Sequence, residues 1–530
     1  MTFKRTKLSL AMVAALALGA CGSDDDTSAP LANAPTPPTV ETAKYLVFAV
    51  DGEGYVNTYA NDGGSQIVPV GTAQQPKNSA DGLLTLGEIH FNGAKSRAFI
   101  VVQDGFVDGS SNPSGGGVIE IDTTNGEIIR QLNLPSTKTP NISRLVHSYV
   151  SPDGKYLWIN NDGPSGNTDN DSVFRLNIDP TDTTDSDGDT SFVDDKYLDF
   201  VEIVVGNGHK KGAHASGQTN AGADIRPLFV THNLSARTVS VIDNDPNSPT
   251  FLTVIKTVEL GSGNTPHGMA FSQYGGHVYT GILSGDNADT ALSILDATSP
   301  DLTVTRIEAG MGANQIPAAG YVKAFHSHHA EEEGRWIFTA GHKDGKGYLS
   351  VVDAQTNQVK SVIDIGDTPT SSFVTTEVEH DGEEHTLVFL GSTGGKTNMA
   401  VVHINNETGE TVTGATIVQA HVGAGQSHRN GKATDDGEHV FMPNGGDCAN
   451  PSATPPVTTN GPDCKTIAVY DARTGGVMKI ETAGVKPGSM AVLKLRDTAG
   501  VSSGPIPHSD GDDHDHDSST GGSSSGGHTH

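Results

Sequence analysis

The stretch His147-Ser148-Tyr149-Val150-Ser151-Pro152-Asp153-Gly154-Lys155-Tyr156-Leu157-Trp158-Ile159 shows the pattern that decides the fold: a histidine, a polar turn with glycine, and an alternating apolar run. Pro266–Ser272 followed by Gly275–Thr280 repeats this pattern, and so does the Gly334–Gly341 run. A second kind of apolar run ends in aspartate and recurs at Thr238–Asp243, Leu292–Asp296, Leu349–Asp353 and Ile467–Asp471. The apolar residues alternate with period two, which predicts strands rather than helices.

The spacing of these runs predicts a propeller, because units of about 45–55 residues with four short strands are typical of propeller blades. Such units begin near Gly87, Val146, Ala213, Pro266, Phe325, Ser371 and Ser427. The remaining apolar ends, Lys44–Val50 and Gly488–Leu495, complete one more blade from both termini, which removes the exposed sheet edges. We therefore predict an all-β chain with a single propeller of four-stranded blades over residues 44–497. Eight blades are expected, with seven as the alternative.

The charge of the chain excludes one broad class of partner. There are 33 Lys and Arg residues against 63 Asp and Glu residues, which gives a net charge of −30. Nucleic acid needs a basic surface, so a nucleic-acid partner is not expected. The acidic balance suits a protein that handles cations or one that is simply very soluble.

The N-terminus has the features of an export signal. A basic segment at residues 4–7 precedes the apolar run Leu8–Leu18, which is too short for a good membrane span. Leu18-Gly19-Ala20-Cys21 resembles the bacterial lipobox, which implies that residues 1–20 are removed and that Cys21 is acylated. The alternative is an ordinary secretory peptide that is cut elsewhere. Attachment to the membrane is expected through the lipid anchor alone.

Residues 21–43 are acidic and proline-rich, and are expected to form a disordered tether. Gly22 after the cysteine favours the outer membrane by resemblance to enterobacterial sorting rules, so we expect a cell-envelope protein with its leaflet left open. Residues 498–530 are expected to be disordered as well. Their alternating His and Asp residues are suited to weak binding of Zn²⁺, Cu²⁺ or Ni²⁺; a solubilising tail, partly a tag, is the alternative. The histidines of this weak site are His508, His514 and His516.

Two further sites are suggested by residue spacing. Cys448 and Cys464 bracket a Pro/Thr-rich loop, and an exported compartment favours a disulfide between them over a thiolate metal site. An acidic insertion partly matches a calcium loop, although its first position is Thr183, and a solvated acidic insertion is the alternative. The candidate calcium ligands are Asp185, Asp187, Asp189 and Asp194.

Histidines recur where the innermost strand of a propeller blade would begin, near the mouth of the central channel. Their sequence contexts differ from blade to blade, which favours one asymmetric site over a repeated structural hydrogen bond. Converging imidazoles match the coordination of zinc or copper, and Glu331 is expected to ligate or to orient a histidine. Strand alternation places His326 and His328 on one face. The predicted metal ligands are His90, His147, His214, His267, His326, His328, His428 and Glu331. His232 and His342 follow second strands and are expected to be exposed.

The repeated phrases resemble the YVTN family of propellers over most of residues 44–497, which implies the architecture but no activity. Three phrases also resemble AztD-type periplasmic zinc metallochaperones: Leu228–His232, Pro266–Ala270 and Ser427–Ala433. That resemblance implies zinc transfer to the solute-binding protein of an ABC importer, with His267 and His428 as carried-over ligands. This chain differs from that family in having a lipobox, long insertions and a C-terminal His/Asp tract.

Three functions compete at this point. The first is a metal-binding lipoprotein that stores or delivers zinc, and the second is a copper-dependent oxidoreductase-like propeller. No cupredoxin-like Cys/Met site and no Cys-x-x-Cys-His haem motif accompanies the histidines, which weighs against the second. The third is a metal-free surface binding scaffold. No Ser-His-Asp or paired-carboxylate constellation is identified, so the sequence leans against an enzyme.

Overall fold

The computed structural model forms a ring of eight β-sheets, each of which is one propeller blade, and the described residues contain no helix. Seven sheets have four strands each. The remaining sheet, that of blade 5, has a fifth short strand that runs parallel at its outer edge. The prediction of an all-β propeller with eight blades is thereby confirmed. The structure describes residues 39–64, 66–76, 84–107, 113–134, 145–161, 172–179, 200–205, 213–218, 227–232, 237–260, 264–284, 290–317, 321–324, 334–366, 370–380, 383–392, 398–412, 416–419, 431–434, 436–444, 466–473, 477–482 and 488–495.

The strands follow one another from the centre of each blade to its edge, except in blade 1, which combines both ends of the chain. Blade 1 contains β1 (Tyr45–Val50), β2 (Val56–Asn61), β3 (Ile67–Pro69) and β33 (Met490–Lys494). Blades 2 and 3 contain β4 (Thr85–Phe91), β5 (Arg97–Val107), β6 (Pro113–Asp122), β7 (Ile128–Asn133), β8 (Leu145–Val150), β9 (Tyr156–Asn161), β10 (Ser172–Asn177) and β11 (Phe200–Val204). Blades 4 and 5 contain β12 (Ala213–Gln218), β13 (Leu228–His232), β14 (Thr238–Ile242), β15 (Val254–Glu259), β16 (Asn264–Ser272), β17 (His277–Ser284), β18 (Thr290–Asp296), β19 (Val304–Ala309) and β20 (Gln315–Ile316). Blades 6 to 8 contain β21 (Tyr321–Ala324), β22 (Trp336–Lys343), β23 (Lys346–Asp353), β24 (Gln358–Asp364), β25 (Thr370–His380), β26 (Glu383–Ser392), β27 (Asn398–Asn405), β28 (Thr416–Gln419), β29 (Lys432–Ala433), β30 (His439–Asn444), β31 (Thr466–Asp471) and β32 (Val477–Thr482).

The innermost strand of each blade contacts the innermost strands of its neighbours around most of the ring, and these strands surround the central channel. They are β33, β4, β8, β12, β16, β21, β25 and β29. Most begin close to the positions expected from the sequence. In blade 6, however, the inner strand is Tyr321–Ala324 and precedes Phe325. The histidine-rich stretch therefore follows the described inner strand instead of opening it.

The core lies between the blades, as β1 illustrates. All six of its side chains are buried, because both faces of the sheet are covered. Leu46 and Phe48 pack toward blade 2, against residues such as Ile100. Tyr45 and Val47, the alternate residues, pack toward blade 8, against residues such as Phe441. Each such side chain contributes about 1.5–3 kcal/mol by leaving water, so the face-to-face contacts between blades stabilise the ring.

The recurring Ser-Pro-Asp-Gly phrase forms the turn from the first strand to the second in blade 3. The Ser151 hydroxyl accepts a hydrogen bond from the Tyr156 backbone N–H at 2.9 Å, and Asp153 Oδ1 accepts one from the Lys155 N–H at 3.1 Å. Gly154 has φ +70°, and a Cβ there would lie 2.2 Å from the Cα of Gly93 in blade 2. Glycine is therefore required both by the turn and by the contact between blades.

The ring is closed by pairing between the two ends of the chain. Strand β33 runs antiparallel to β1, with Tyr45 opposite Lys494. The buried Lys44 Nζ lies 2.6 Å from Glu438 Oε2 and 3.3 Å from Asp436 Oδ2 of blade 8. The Tyr45 hydroxyl also donates to Asp436 Oδ2 at 2.7 Å. The expectation that both termini complete one blade is correct.

Several predictions fall outside the described residues, including those of the leader, most of the tether and the C-terminal tail. Within the described part, no helix is long and apolar enough to cross a membrane. The following predicted residues also lie outside it: Cys21, Asp185, Asp187, Asp189, Asp194, Cys448, Cys464, His508, His514 and His516.

Candidate functional site

Four consecutive inner strands carry a β-bulge at the same level of the channel. In β4, Leu86 pairs with Val102 and Ile89 pairs with Ile100, so the two residues between them oppose a single residue of β5. The same irregularity occurs in β8, β12 and β16. Bulges bend a strand and redirect its side chains, and they are common beside functional sites. The four bulged pairs are Gly87-Glu88, Val146-His147, His214-Ala215 and His267-Gly268.

Side chains from the second strands support two of these bulges. Asn160 lies opposite the bulge of β8 and donates its side-chain N–H to the His147 carbonyl at 2.9 Å. Thr231 of blade 4 approaches the His267 carbonyl of blade 5 with its hydroxyl at 3.5 Å. These contacts satisfy carbonyl groups that the bulge removes from the regular ladder.

The rings of His147 and His267 meet although their blades are not neighbours. Their centroids are 6.2 Å apart and their planes are inclined by 76°. Blade 4 lies between blades 3 and 5, so this contact spans the width of a whole blade. Two imidazoles bound through Nε2 to one tetrahedral zinc would have centroids about 5 Å apart, given Zn–N bonds of about 2.0–2.1 Å. The pair is therefore about 1 Å wider than a shared zinc ion requires.

Glu88 organises the site on the side of blade 2. Its Oε1 lies 2.9 Å from His147 Nδ1, and its Oε2 accepts hydrogen bonds from the Ser148 backbone N–H at 2.7 Å and the Ser148 hydroxyl at 2.8 Å. An ionised carboxylate can only accept, so His147 donates through Nδ1–H. In neutral His147 this places the lone pair on Nε2, as in carboxylate–histidine–metal arrangements.

The charge of Glu88 is favoured by these contacts. Desolvation inside the channel would raise the pKa of Glu88, but the charge and hydrogen bond of His147, together with a weaker contribution from His90, hold that pKa well below its usual range. Glu88 is thus an anion that remains available to orient His147 over the whole physiological pH range.

His90 completes a short chain of polar side chains. Its Nε2 lies 2.8 Å from the Ser148 hydroxyl oxygen and 3.6 Å from Glu88 Oε2. Because the Ser148 hydroxyl donates to Glu88, it accepts from His90 Nε2–H, which is an assignment made from the hydrogen-bond network. Two ring nitrogens, one of His90 and one of His147, are thereby fixed as donors toward the same carboxylate and serine.

Two lysines from blades 6 and 8 belong to the same channel. Lys323 of β21 is exposed to the channel, and Lys432 of β29 is half-buried. Enclosure by protein, followed by the charge of Lys432, lowers the pKa of Lys323 to about 8, against the opposing effect of Glu88. Enclosure likewise lowers the pKa of Lys432, again against Glu88.

The structure brings together part of the predicted metal site. His90, His147 and His267 lie in or beside the Glu88 network, and the backbone of His214 occupies the bulge between the blades of His147 and His267. The side chain of His214 and the whole of His326, His328, His428 and Glu331 lie outside the described residues. Within the described part, no three His, Cys, Asp or Glu side chains form a group arranged to hold a metal ion.

One prediction about a histidine outside the channel is wrong. His232 was expected to be exposed, but it is fully buried at the end of β13, and its Nε2 lies 2.8 Å from the Ser240 hydroxyl. Strand β13 includes His232 instead of ending before it, and His232 pairs with Thr238 of the neighbouring strand β14. The side chain of His342 is outside the described residues.

The sequence interpretation missed Glu88, Ser148, Lys323 and Lys432. Glu88 could have been found by aligning the blades on their second strands. In that alignment Glu88 of blade 2 occupies the same position as His147 of blade 3, as the second residue of the bulged pair. The lysines carry no local signal, because each is a single charged residue within an ordinary strand.

Comparisons with known proteins support the architecture. No family of known sequences matches the chain, and no curated protein matches it. Among solved structures, apo AztD from Citrobacter koseri is similar at 12 % identity with a TM-score of 0.50, over 85 % of this chain and 98 % of that one. A second AztD structure from the same organism has 12 % identity, a TM-score of 0.47, and 86 % and 99 % coverage. A protein of unknown function from Desulfotomaculum acetoxidans has 10 % identity, a TM-score of 0.44, and 86 % and 100 % coverage. The similarity to apo AztD supports the fold.

Proposed function

We propose that this protein is a metal-binding propeller of the cell envelope, that zinc is its cargo, and that it stores or delivers this ion. One observation carries the proposal: the His147 ring is held by Glu88 through Nδ1 and lies 6.2 Å, between centroids, from the ring of His267 in a non-neighbouring blade. A histidine that donates Nδ1–H to a carboxylate presents Nε2 as the metal-binding nitrogen.

The set of donors suits zinc. Neutral imidazoles and a carboxylate are ordinary zinc ligands, and zinc tolerates the irregular approach of side chains from different blades because it has no geometric preference from d electrons. His147 and His267 are the expected first ligands. His214 is the expected third, since its bulge lies at the same channel level in the blade between them. Closure of the 6.2 Å centroid separation by about 1 Å would accompany binding.

Delivery of the metal is inferred from resemblance. The AztD-type phrases around His267 and His428 suggest transfer to the solute-binding protein of a metal importer. A lipid anchor at Cys21 would keep the protein at the membrane, where such importers work, and the His/Asp tail would collect metal weakly. Cys448 and Cys464 would close one loop as a disulfide, and Asp185, Asp187, Asp189 and Asp194 remain candidates for a calcium site.

Metal analysis of protein purified without chelators and without a metal column tests the proposal. We expect about one tightly held zinc per chain in the full-length protein, and the same in a variant that ends before Ser509. His147→Ala and His267→Ala should lose this ion, whereas His277→Ala, which changes a histidine outside the inner strands, should retain it. Absence of tight zinc and copper from the tail-free protein would refute the proposal. Stoichiometric copper with a visible absorption band would favour the copper alternative.

A further inference from the structure

Three basic side chains lie at one level of the channel, below the bulges. His90, Lys323 and Lys432 pair with Phe99, Phe338 and Phe441, respectively. In each of these blades, one residue of the second strand pairs with the last aspartate of the third strand. The phenylalanine lies two positions after that residue in all three blades. The three basic residues therefore come from blades 2, 6 and 8 at the same depth.

The positive charge at this level is not neutralised by the described protein. Among the described residues, Lys323 and Lys432 form no ion pair with a carboxylate, and Lys323 makes a cation–π contact with Phe373 at 5.5 Å. Glu88 is the carboxylate whose charge both lysines experience, and it is already occupied by His147 and Ser148. The other residues at this level are uncharged: Tyr149, Gly217, Ala270, Thr376 and Val492.

Repulsion between the two ammonium groups contributes to the lowered pKa of Lys323. Two like charges held in an enclosed channel destabilise the protein unless an anion binds between them. The whole chain carries a net charge of −30, so a local excess of positive charge is not a consequence of composition. It is a property of this part of the channel.

A cavity of about 450 Å³ opens beside Lys432 and His90. Ile89, Phe91, Val150 and Val492 supply apolar wall, and the turns that follow β4 and β8 supply backbone groups. Lys95 and Asp153 also line it with opposite charges, so the cationic character of the cavity comes from Lys432. This volume is within the usual range for small-molecule sites of about 300–1,000 Å³.

We propose that this cavity binds a small anion that carries a carboxylate or phosphate group, with Lys432 as its charged contact. Lys323 adds a second positive charge from blade 6. The apolar wall receives the uncharged part of the ligand, and charge-assisted hydrogen bonds hold its anionic end. This anion site does not depend on the metal site, which uses the bulges one level above.

Calorimetric titration of the full-length protein with citrate and, separately, with inorganic phosphate tests the anion site. At least one of the two should saturate one site, and the one that binds identifies the carboxylate or the phosphate as the recognised group. Lys432→Gln should weaken binding by about tenfold to a hundredfold, as expected when a charge-assisted hydrogen bond is lost. Lys346→Gln removes a lysine that pairs with Asp364 on the outer part of blade 6, and should leave the affinity unchanged.

A second measurement protects the test against a folding defect. Without added anion and at low salt, Lys432→Gln should unfold at a temperature equal to or above that of the unchanged protein, because it removes a repulsive charge. Failure of both citrate and phosphate to saturate, or unchanged affinity in a well-folded Lys432→Gln protein, would overturn the proposal. His147→Ala should retain anion binding even if it loses zinc, which separates this proposal from the proposed function.

Discussion

Replacement of Glu88 by glutamine should weaken zinc binding by changing the orientation of His147, while the channel remains folded. In the unchanged protein Glu88 accepts from His147 Nδ1 at 2.9 Å and from Ser148 at 2.7 and 2.8 Å. A glutamine at this position has only one accepting oxygen. Two donors of Ser148 compete for it against one donor of His147, so the oxygen should remain with Ser148. The amide NH₂ then faces His147 and requires the lone pair on Nδ1, which moves the proton to Nε2.

The expected loss follows from this change of tautomer. Removal of the carboxylate that orients a metal-ligating histidine weakens metal affinity about 10–100-fold. With about 1.4 kcal/mol for each factor of ten, the loss is about 1.4–2.8 kcal/mol. Stability should change less, because the glutamine is of similar size and retains the two hydrogen bonds from Ser148.

Zinc affinity can be measured by competition with a chromophoric chelator, and the tautomer of His147 by ¹⁵N chemical shifts of the metal-free protein. Glu202→Gln is a matched control, since Glu202 accepts a hydrogen bond from Ser172 at 2.7 Å in the outer part of blade 3. The control should bind zinc normally. If Glu88→Gln binds zinc as tightly as the unchanged protein, or if its affinity falls while His147 keeps Nδ1 protonated, the proposed role of Glu88 is wrong.

Three further predictions concern ring closure and the lysines. Lys44→Met should lower the free energy of unfolding by about 1–3 kcal/mol in chemical denaturation, because the partly buried Asp436 and Glu438 lose the cation that they share. Lys494 at 3.4 Å would remain as the cation beside Asp436. An unchanged value would mean that the two chain ends are held by β-pairing alone. Although desolvation opposes the change, hydrogen bonds from Thr434 and Tyr45 and the charge of Lys44 depress the pKa of Asp436, so its contribution is present above the unfolded value of about 3.9 and is lost as the pH falls below it. Unfolding at pH 5 and at pH 3 should therefore show a smaller loss for Asp436→Asn than for the unchanged protein, and equal losses would contradict this. The pKa of Lys323 is about 8, so the affinity for the anion should fall between pH 7 and pH 9 as Lys323 loses its proton. Lys323→Gln should make the affinity less dependent on pH. A pH profile that does not change with this substitution would exclude Lys323 from the site.

The architecture was predictable because short sequence patterns specify it. Alternating runs, the Ser151–Gly154 turn and the two unpaired apolar ends are each visible without knowledge of tertiary contacts, and together they require a closed ring. Blade 6 shows where this reasoning fails. Its inner strand, Tyr321–Ala324, is short. The blade was predicted to begin at Phe325 because of the histidines that follow.

The site was only partly predictable, because its geometry depends on register between strands. A bulge adds one residue to one strand, and nothing in the Leu86–Ile89 segment shows that Glu88 lies outside the regular ladder. The contact between His147 and His267 depends on the curvature of the ring across blade 4, which local sequence does not specify. The depth of Lys323 and Lys432 depends in turn on their pairing with Phe338 and Phe441.

The distribution of these residues gives the channel two chemically different walls. Among the described inner strands, the bulges at this level occur only in blades 2 to 5, and they hold Glu88, His147 and His267. The lysines come from blades 6 and 8. The proposed cation site uses the bulges, the proposed anion site uses Lys432, and the charge of Glu88 acts on both lysines. A repeated structural hydrogen bond would have placed the same residue in every blade. The asymmetry instead matches a single site to which individual blades contribute different residues.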